Sequence, residues 1–172
     1  MNRIKWFERK FDFSFKQNIF PSLIKRLEET PLLLERKIDL ISKENLTLKP
    51  NGKWSIQEHV GHLIDLEPLW FGRLEDILAK KSNLRSADLE NTKTNLANHN
   101  EKNIGDLLSE FSNHRHKLLN KLTKLTNKEV YNSAIHPRLK KPMRTMDLFL
   151  FVAEHDRHHL ESIAELIKTI DS

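Results

Sequence analysis

The stretch Thr145-Met146-Asp147-Leu148-Phe149-Leu150-Phe151-Val152-Ala153-Glu154-His155-Asp156-Arg157-His158-His159 runs on to Ile170 without a helix breaker. At 100° per residue, Leu148, Phe149, Val152, Ile163, Leu166, Ile167 and Ile170 fall on one stripe, and Thr145 is placed to cap the start. Three polar residues interrupt that stripe: His155, Asp156 and His159. His158 lies well to one side, and Glu154, Arg157 and Glu161 face away. A long helix with one apolar face needs other helices to cover it, and the chain supplies them.

Upstream, Ser55-Ile56-Gln57-Glu58 is a capping box: Ser55 caps the orphan amides and Glu58 reaches back. The helix it opens is expected to run to about Lys81. A first helical region is expected from about Pro21 to Ser42, with Thr30-Pro31 marking a kink or restart, because proline suits a first helical turn and not an interior. A third helix spans roughly Lys102 to Leu125, its apolar face built from Leu107, Leu108, Phe111, Leu118, Leu119 and Leu122. Residues 82–100 are rich in Asn, Asp, Ser and Thr and read as a long loop. Residues 126–144 contain His136-Pro137 and Lys141-Pro142, both unfavourable to helix, and read as a second loop. No stretch shows sustained strand alternation. The expected fold is all-α, a four-helix bundle forming one domain over residues 1–172, with residues 1–20 as an aromatic-rich lead. No internal repeat or second-domain linker is visible.

Composition agrees and narrows the chemistry. A chain of 172 residues with 38% apolar content and four glycines has room for one compact domain. Zero cysteines exclude cysteine nucleophiles, Cys-type zinc sites, iron–sulfur clusters and disulfide frameworks. The net charge of +5 and pI near 9.4 raise nucleic acid as a partner, but 29 basic residues are spread among 24 acidic ones. The densest basic places, Lys80-Lys81 and Arg138-Leu139-Lys140-Lys141, lack stacking aromatics, which argues against nucleic-acid binding. The longest apolar run, Leu148 to Ala153, is far short of a membrane span. Arg3, Lys5, Glu8, Arg9, Lys10 and Asp12 interrupt any signal-peptide core, so the expected location is cytoplasmic.

What remains is nine histidines. His155 and His159 are four apart on the inward face of the last helix, close enough for both rings to bind one metal ion. A third ligand can come from the second helix, whose apolar stripe is Ile56, Val60, Leu63, Leu66, Trp70, Leu74, Ile77 and Leu78. His59 falls within that stripe and His62 at its edge. The wheel slightly favours His59 as the more buried ring, whereas an open coordination position suits a ligand at the edge equally well. Glu67 also points inward. Glu67 and Asp156 are candidates to orient ligand imidazoles or act on bound water; alternatively each pairs with an Arg or Lys at the bundle end. His99, His114, His116 and His136 read as solvated or hydrogen-bonded surface residues. Trp54 and Trp70 read as core or pocket wall.

Three blocks together resemble the DinB/YfiT-like superfamily: Lys53-Trp54-Ser55-Ile56-Gln57-Glu58, His62-Leu63-Ile64-Asp65-Leu66-Glu67, and Ala153-Glu154-His155-Asp156-Arg157-His158-His159. Arg26-Leu27-Glu28-Glu29-Thr30-Pro31 is similar to that family's first-helix signature, so the resemblance covers roughly residues 20–170. It implies a four-helix bundle, often a homodimer, in which three histidines bind a divalent metal, commonly nickel or zinc. Carried onto this sequence, the ligands are His62, His155 and His159, with His59 left as a nearby pocket residue or a bystander. Members are described as metal-dependent hydrolases or as transferases of low-molecular-weight thiols.

Two enzymatic chemistries on a small-molecule substrate follow. In hydrolysis a general base near the water is required, for which Asp156 or Glu67 could serve. In thiol transfer the thiol must come from a bound cofactor, because the chain has none, and the basic loop Arg138 to Arg144 could line its pocket. The alternative is a non-enzymatic, stress-related bundle that binds a metal or ligand, or holds its histidines for structure alone.

Overall fold

The computed structural model describes residues 4–170. Residues 1–3 and 171–172, which include Arg3 and the two ends of the expected domain, lie outside the described residues. A 3₁₀ turn, Trp6–Glu8, precedes α1 (Phe20–Ile38), the short α2 (Lys43–Thr47), a 3₁₀ turn at Pro50–Gly52, and α3 (Ile56–Leu78). Then come α4 (Thr92–Leu96), a 3₁₀ turn at His99–Glu101, α5 (Ile104–Leu122), α6 (Asn127–Tyr131), β1 (Ser133–Ile135), β2 (Pro142–Arg144) and α7 (Thr145–Ile170). The long helices α1, α3, α5 and α7 form the bundle. Its packed neighbours are α1 with α5, α5 with α3, α3 with α7 and α7 with α1, so α1 stands diagonally across from α3. Among the described residues no helix is long and apolar enough to cross a membrane.

The four expected helices are present, with local corrections. Helix α1 passes through Pro31 without a break and ends at Ile38. The chain then restarts as α2, capped by Ser42, whose side chain accepts from the Asn45 amide. The capping box of α3 forms as expected: Ser55 Oγ accepts from the Glu58 amide at 3.1 Å and Glu58 Oε2 accepts from the Ser55 amide at 2.8 Å. Thr145 does not cap α7. It is the first helical residue, its hydroxyl donates to the Glu129 carbonyl at 2.7 Å, and Asp147 accepts the Arg144 amide instead.

The two expected loops carry short elements. Residues 82–100 contain α4 and the start of the 3₁₀ turn at His99. Residues 126–144 contain α6 and an antiparallel hairpin of two three-residue strands, Ser133 opposite Arg144 and Ile135 opposite Pro142. Helix α6 has its own capping box, Thr126 with Glu129, a Thr-x-x-Glu signal visible in the sequence.

The core divides in two. One apolar cluster joins Phe20, Leu23 and Leu27 of α1 to Trp70, Leu74 and Ile77 of α3, Leu118 and Leu122 of α5, and Leu148, Phe149 and Val152 of α7. The other joins Leu34 and Ile38, Val60 and Leu63, Leu107 and Phe111, and Ile163. Between them, every bundle helix contributes buried polar residues: Thr30 from α1, His62 and Glu67 from α3, Arg115 from α5, and His155, Asp156 and His159 from α7. Burying polar groups at mid-bundle is costly unless they are partnered, so this layer is where chemistry is concentrated.

Candidate metal centre

Three rings meet on one side of the polar layer. Helix α3 carries His62, and α7 carries His155 and His159 one turn apart. The ring centroids are 5.4 Å apart for His62–His155, 4.8 Å for His62–His159 and 4.5 Å for His155–His159. Each ring can offer one nitrogen so that the three atoms lie within 4.8 Å of one another. All three are buried, at 4–5% exposure. Burial pushes His62 down to about 4, and burial followed by the neighbouring imidazoles takes His155 and His159 well below the ordinary histidine value. The rings are therefore neutral near pH 7, the state in which imidazole carries a lone pair for a metal.

Hydrogen bonds fix their orientation. Thr94 Oγ1 donates to Asp65 Oδ2 at 2.9 Å, because an ionised carboxylate only accepts. The same hydroxyl lies 3.0 Å from His62 Nδ1, so it accepts from His62 Nδ1–H, and the lone pair of that ring sits on Nε2. Asp65 is held in turn by His99 Nε2 at 2.8 Å. Gly61 makes room for this chain: a Cβ there would strike the His99 ring. His155 Nε2 and His159 Nε2 stand 3.2 Å apart, a separation at which two imidazoles either share a proton or face one cation with both lone pairs. His155 Nδ1 is buried without a partner, while His159 Nδ1 lies 2.9 Å from His59 Nδ1.

His59 thus stands behind His159, half-buried, and does not belong to the three-ring group. The wheel takes His59 for the more buried ring, whereas the structure leaves His59 half-buried and buries His62, at 4% exposure.

Glu67 and Asp156 meet at Arg115. Glu67 Oε1 accepts from Arg115 Nη2 at 2.7 Å, and Asp156 Oδ2 accepts from Arg115 Nη1 at 2.6 Å and from Thr30 Oγ1 at 3.0 Å. The expected alternative, pairing with an arginine, is the arrangement found, at mid-bundle and not at its end. Burial opposes the Arg115 charge, but Asp156 and Glu67 outweigh it and hold the guanidinium firmly protonated. Burial also pushes the Glu67 carboxyl up against the pull of Arg115. Neither carboxylate lines the cavity described next, so neither faces water at the three rings.

A cavity of about 880 Å³ opens on the histidines, walled by Trp6, Trp54, Trp70, Phe151, His59 and His158 among others. This volume suits a small molecule. Trp54 and Trp70 are pocket wall, as expected. Trp6 of the N-terminal lead packs edge-on against His155 at 4.9 Å, a contact no helical periodicity could reveal. Of the basic loop, Arg138 lines the cavity, whereas Arg144 is turned to Asp147 and to the carbonyls of Phe13 and Phe15. His99 and His136, read as surface residues, are each 2% exposed. Both belong to the segments expected as loops, which pack on α3: the His99 ring lies against Gly61 and His136 against Arg73. His114 is half-buried and His116 exposed.

No curated protein matches the chain. A solved structure, described as "YfiT from Bacillus subtilis is a probable metal-dependent hydrolase with an unusual four-helix bundle topology", superposes with a TM-score of 0.81 at 22% identity, covering 95% of this chain and 94% of that one. At that identity the likeness carries the fold. Residues 26–163 match the family model of the DinB superfamily, and the chain belongs to that superfamily.

Proposed function

We propose that this protein is a metal-dependent hydrolase of a small-molecule substrate, with His62, His155 and His159 holding a divalent ion. The observation that carries this reading is the convergence of three buried, neutral imidazoles within 4.8 Å of one another at the wall of a cavity large enough for a substrate. The donor set fits: all-nitrogen ligands suit zinc or nickel, and three protein ligands leave a position open. A bound divalent ion supplies Lewis-acid polarisation of a substrate oxygen and activation of a water nucleophile.

The chain's own residues do the rest. Thr94 and Asp65 hold His62 in the tautomer that presents Nε2, as an outer carboxylate does in metal sites generally. His59 accepts the Nδ1 proton of His159 and so turns that ring's Nε2 inward. Arg115 pins Asp156, and with it the turn of α7 that carries both histidines. With Glu67 and Asp156 engaged there, His59 and His158 are the groups on the cavity wall we assign to proton transfer. A second reading, transfer of a small charged thiol, is favoured by Arg73 and Arg138 on the same wall.

The test is to reconstitute the protein with zinc or nickel and to assay ester and amide hydrolysis beside thiol conjugation. Hydrolysis that disappears in His155→Ala while the fold is retained supports the reading. Activity that survives that substitution contradicts it.

A further inference from the structure

Three hydrogen-bond donors meet in the cavity with no acceptor among them. His136 Nδ1 accepts the backbone N–H groups of Arg138 and Leu139, each at 3.2 Å. A neutral imidazole has one proton and one lone pair, so His136 cannot accept from these amides and from Arg73 at once; with the lone pair on Nδ1, Nε2 is a donor. Yet the atom facing Nε2, at 3.2 Å, is Arg73 Nη1, which can only donate. Arg138 Nη2 is buried and has no hydrogen-bond partner.

Neither guanidinium makes an ion pair among the described residues. Asp76, the carboxylate whose charge acts on Arg73, is bound by Arg85 and Lys81. Asp88, also on the wall, is turned to the amides of Glu90 and Lys93. Burial, then the Arg138 charge, lowers Arg73 to about 10, and His136 is pushed down to about 4 by burial and then by the two arginines.

The cluster is built, not accidental. Arg73 is 2% exposed, its Nε is fixed on the Arg85 carbonyl at 3.1 Å, and its guanidinium lies over Trp70 at 5.5 Å. Arg138 lies over Phe7 at 5.2 Å. His136 is anchored by the hairpin, its amide on the Lys141 carbonyl at 2.9 Å. Trp70 touches the His155 ring at 5.7 Å, so a single aromatic ring separates the donors from the three-histidine group. Fixed donors that converge on a cavity wall with no carboxylate paired to them are complementary to an oxyanion.

We propose that Arg73, His136 and Arg138 form an oxyanion subsite, and that the substrate is an anionic small molecule whose carboxylate or phosphate group sits there while its reacting group reaches the histidines. The second half rests on the function proposed above; the subsite itself stands on its own residues.

The experiment is calorimetric and fluorescence titration of succinate and of inorganic phosphate, with chloride matching ionic strength, into metal-free and zinc-loaded protein. Trp6 and Trp70 report from the wall. The expected result is saturable binding of at least one anion to both forms, weakened tenfold or more in Arg138→Gln and in Arg73→Met, with zinc stoichiometry unchanged. Arg138 sits in a loop, so its variant retains the fold if Arg73→Met does not. The tighter anion tells a carboxylate from a phosphate source. Absence of saturable binding overturns the subsite, as does binding that needs zinc and ignores Arg138→Gln, which places the anion on the ion. Anion binding in a protein that takes up no zinc leaves the subsite standing and removes the metal reading.

Discussion

Arg115 donates from Nη1 to the carbonyl of Leu27 at 3.1 Å. That carbonyl lies four residues before Pro31, so proline, lacking an N–H, leaves it without its helical partner. The guanidinium of α5 replaces the missing donor of α1. The same side chain binds Glu67 of α3 and Asp156 of α7, so one residue ties all four bundle helices at the level of the histidines. This is why α1 runs unbroken where its sequence suggests a kink.

Replacing Arg115 by Met leaves two buried carboxylates without their counter-charge and the Leu27 carbonyl without a donor. The expected cost is ~3–5 kcal/mol, read as a lower urea midpoint at unchanged slope. Adding Glu67→Gln and Asp156→Asn to Arg115→Met should recover part of the loss, because the charges left unpaired are then gone. A midpoint shift below ~1 kcal/mol in the single variant contradicts the role given to Arg115.

Thr94→Val removes the hydroxyl that links His62 to Asp65 and keeps the side-chain shape. Metal affinity, measured by competition with a chelator, is expected to fall 10–100-fold. Equal affinity in the variant means that the tautomer of His62 does not depend on Thr94.

Gly61→Ala places a methyl group against the His99 ring, which must move from Asp65. The expected destabilisation is ~1–3 kcal/mol, as for overpacking of a core. A larger fall in metal affinity than a surface Gly→Ala control should accompany it, because Asp65 loses one of its two hydrogen-bond donors.

His136 titrates about 4 in the fold against about 6.5 when unfolded. Its folded value is depressed, so the unfolded chain binds the extra proton first as pH falls from about 6.5 to about 4. Its contribution to stability is therefore complete above about 6.5 and is lost through that window. His136→Gln should flatten the slope of stability against pH between those limits. An unchanged slope contradicts the assignment of a neutral, buried His136.

Much of this molecule is legible in its sequence, and the exceptions have physical causes. Long amphipathic periodicity places α3, α5 and α7, and the i, i+4 spacing finds His155 and His159. Arg115 is hidden between two histidines that are not fully buried, on a helix whose apolar face gives no sign of a buried cation. Asp65 and Arg73 of α3 find their partners outside the periodic helices: Thr94 and His99 lie in a segment with no sustained helical period, and His136 in a hairpin too short to alternate. His62 lies at the edge of its stripe, so the wheel alone could not choose it over His59. The Pro31 reading failed for the opposite reason: a local rule was overridden by a tertiary hydrogen bond.

The central claim is that His62, His155 and His159 act together on one ion. It is tested most directly by calorimetric titration of zinc into metal-free protein, wild type beside His62→Ala, His155→Ala, His159→Ala and His59→Ala. The account predicts one ion per chain in the wild type, loss of that binding in each of the first three variants, and retained though weaker binding in His59→Ala. Unchanged zinc binding in His155→Ala, or none in the wild type, would contradict it.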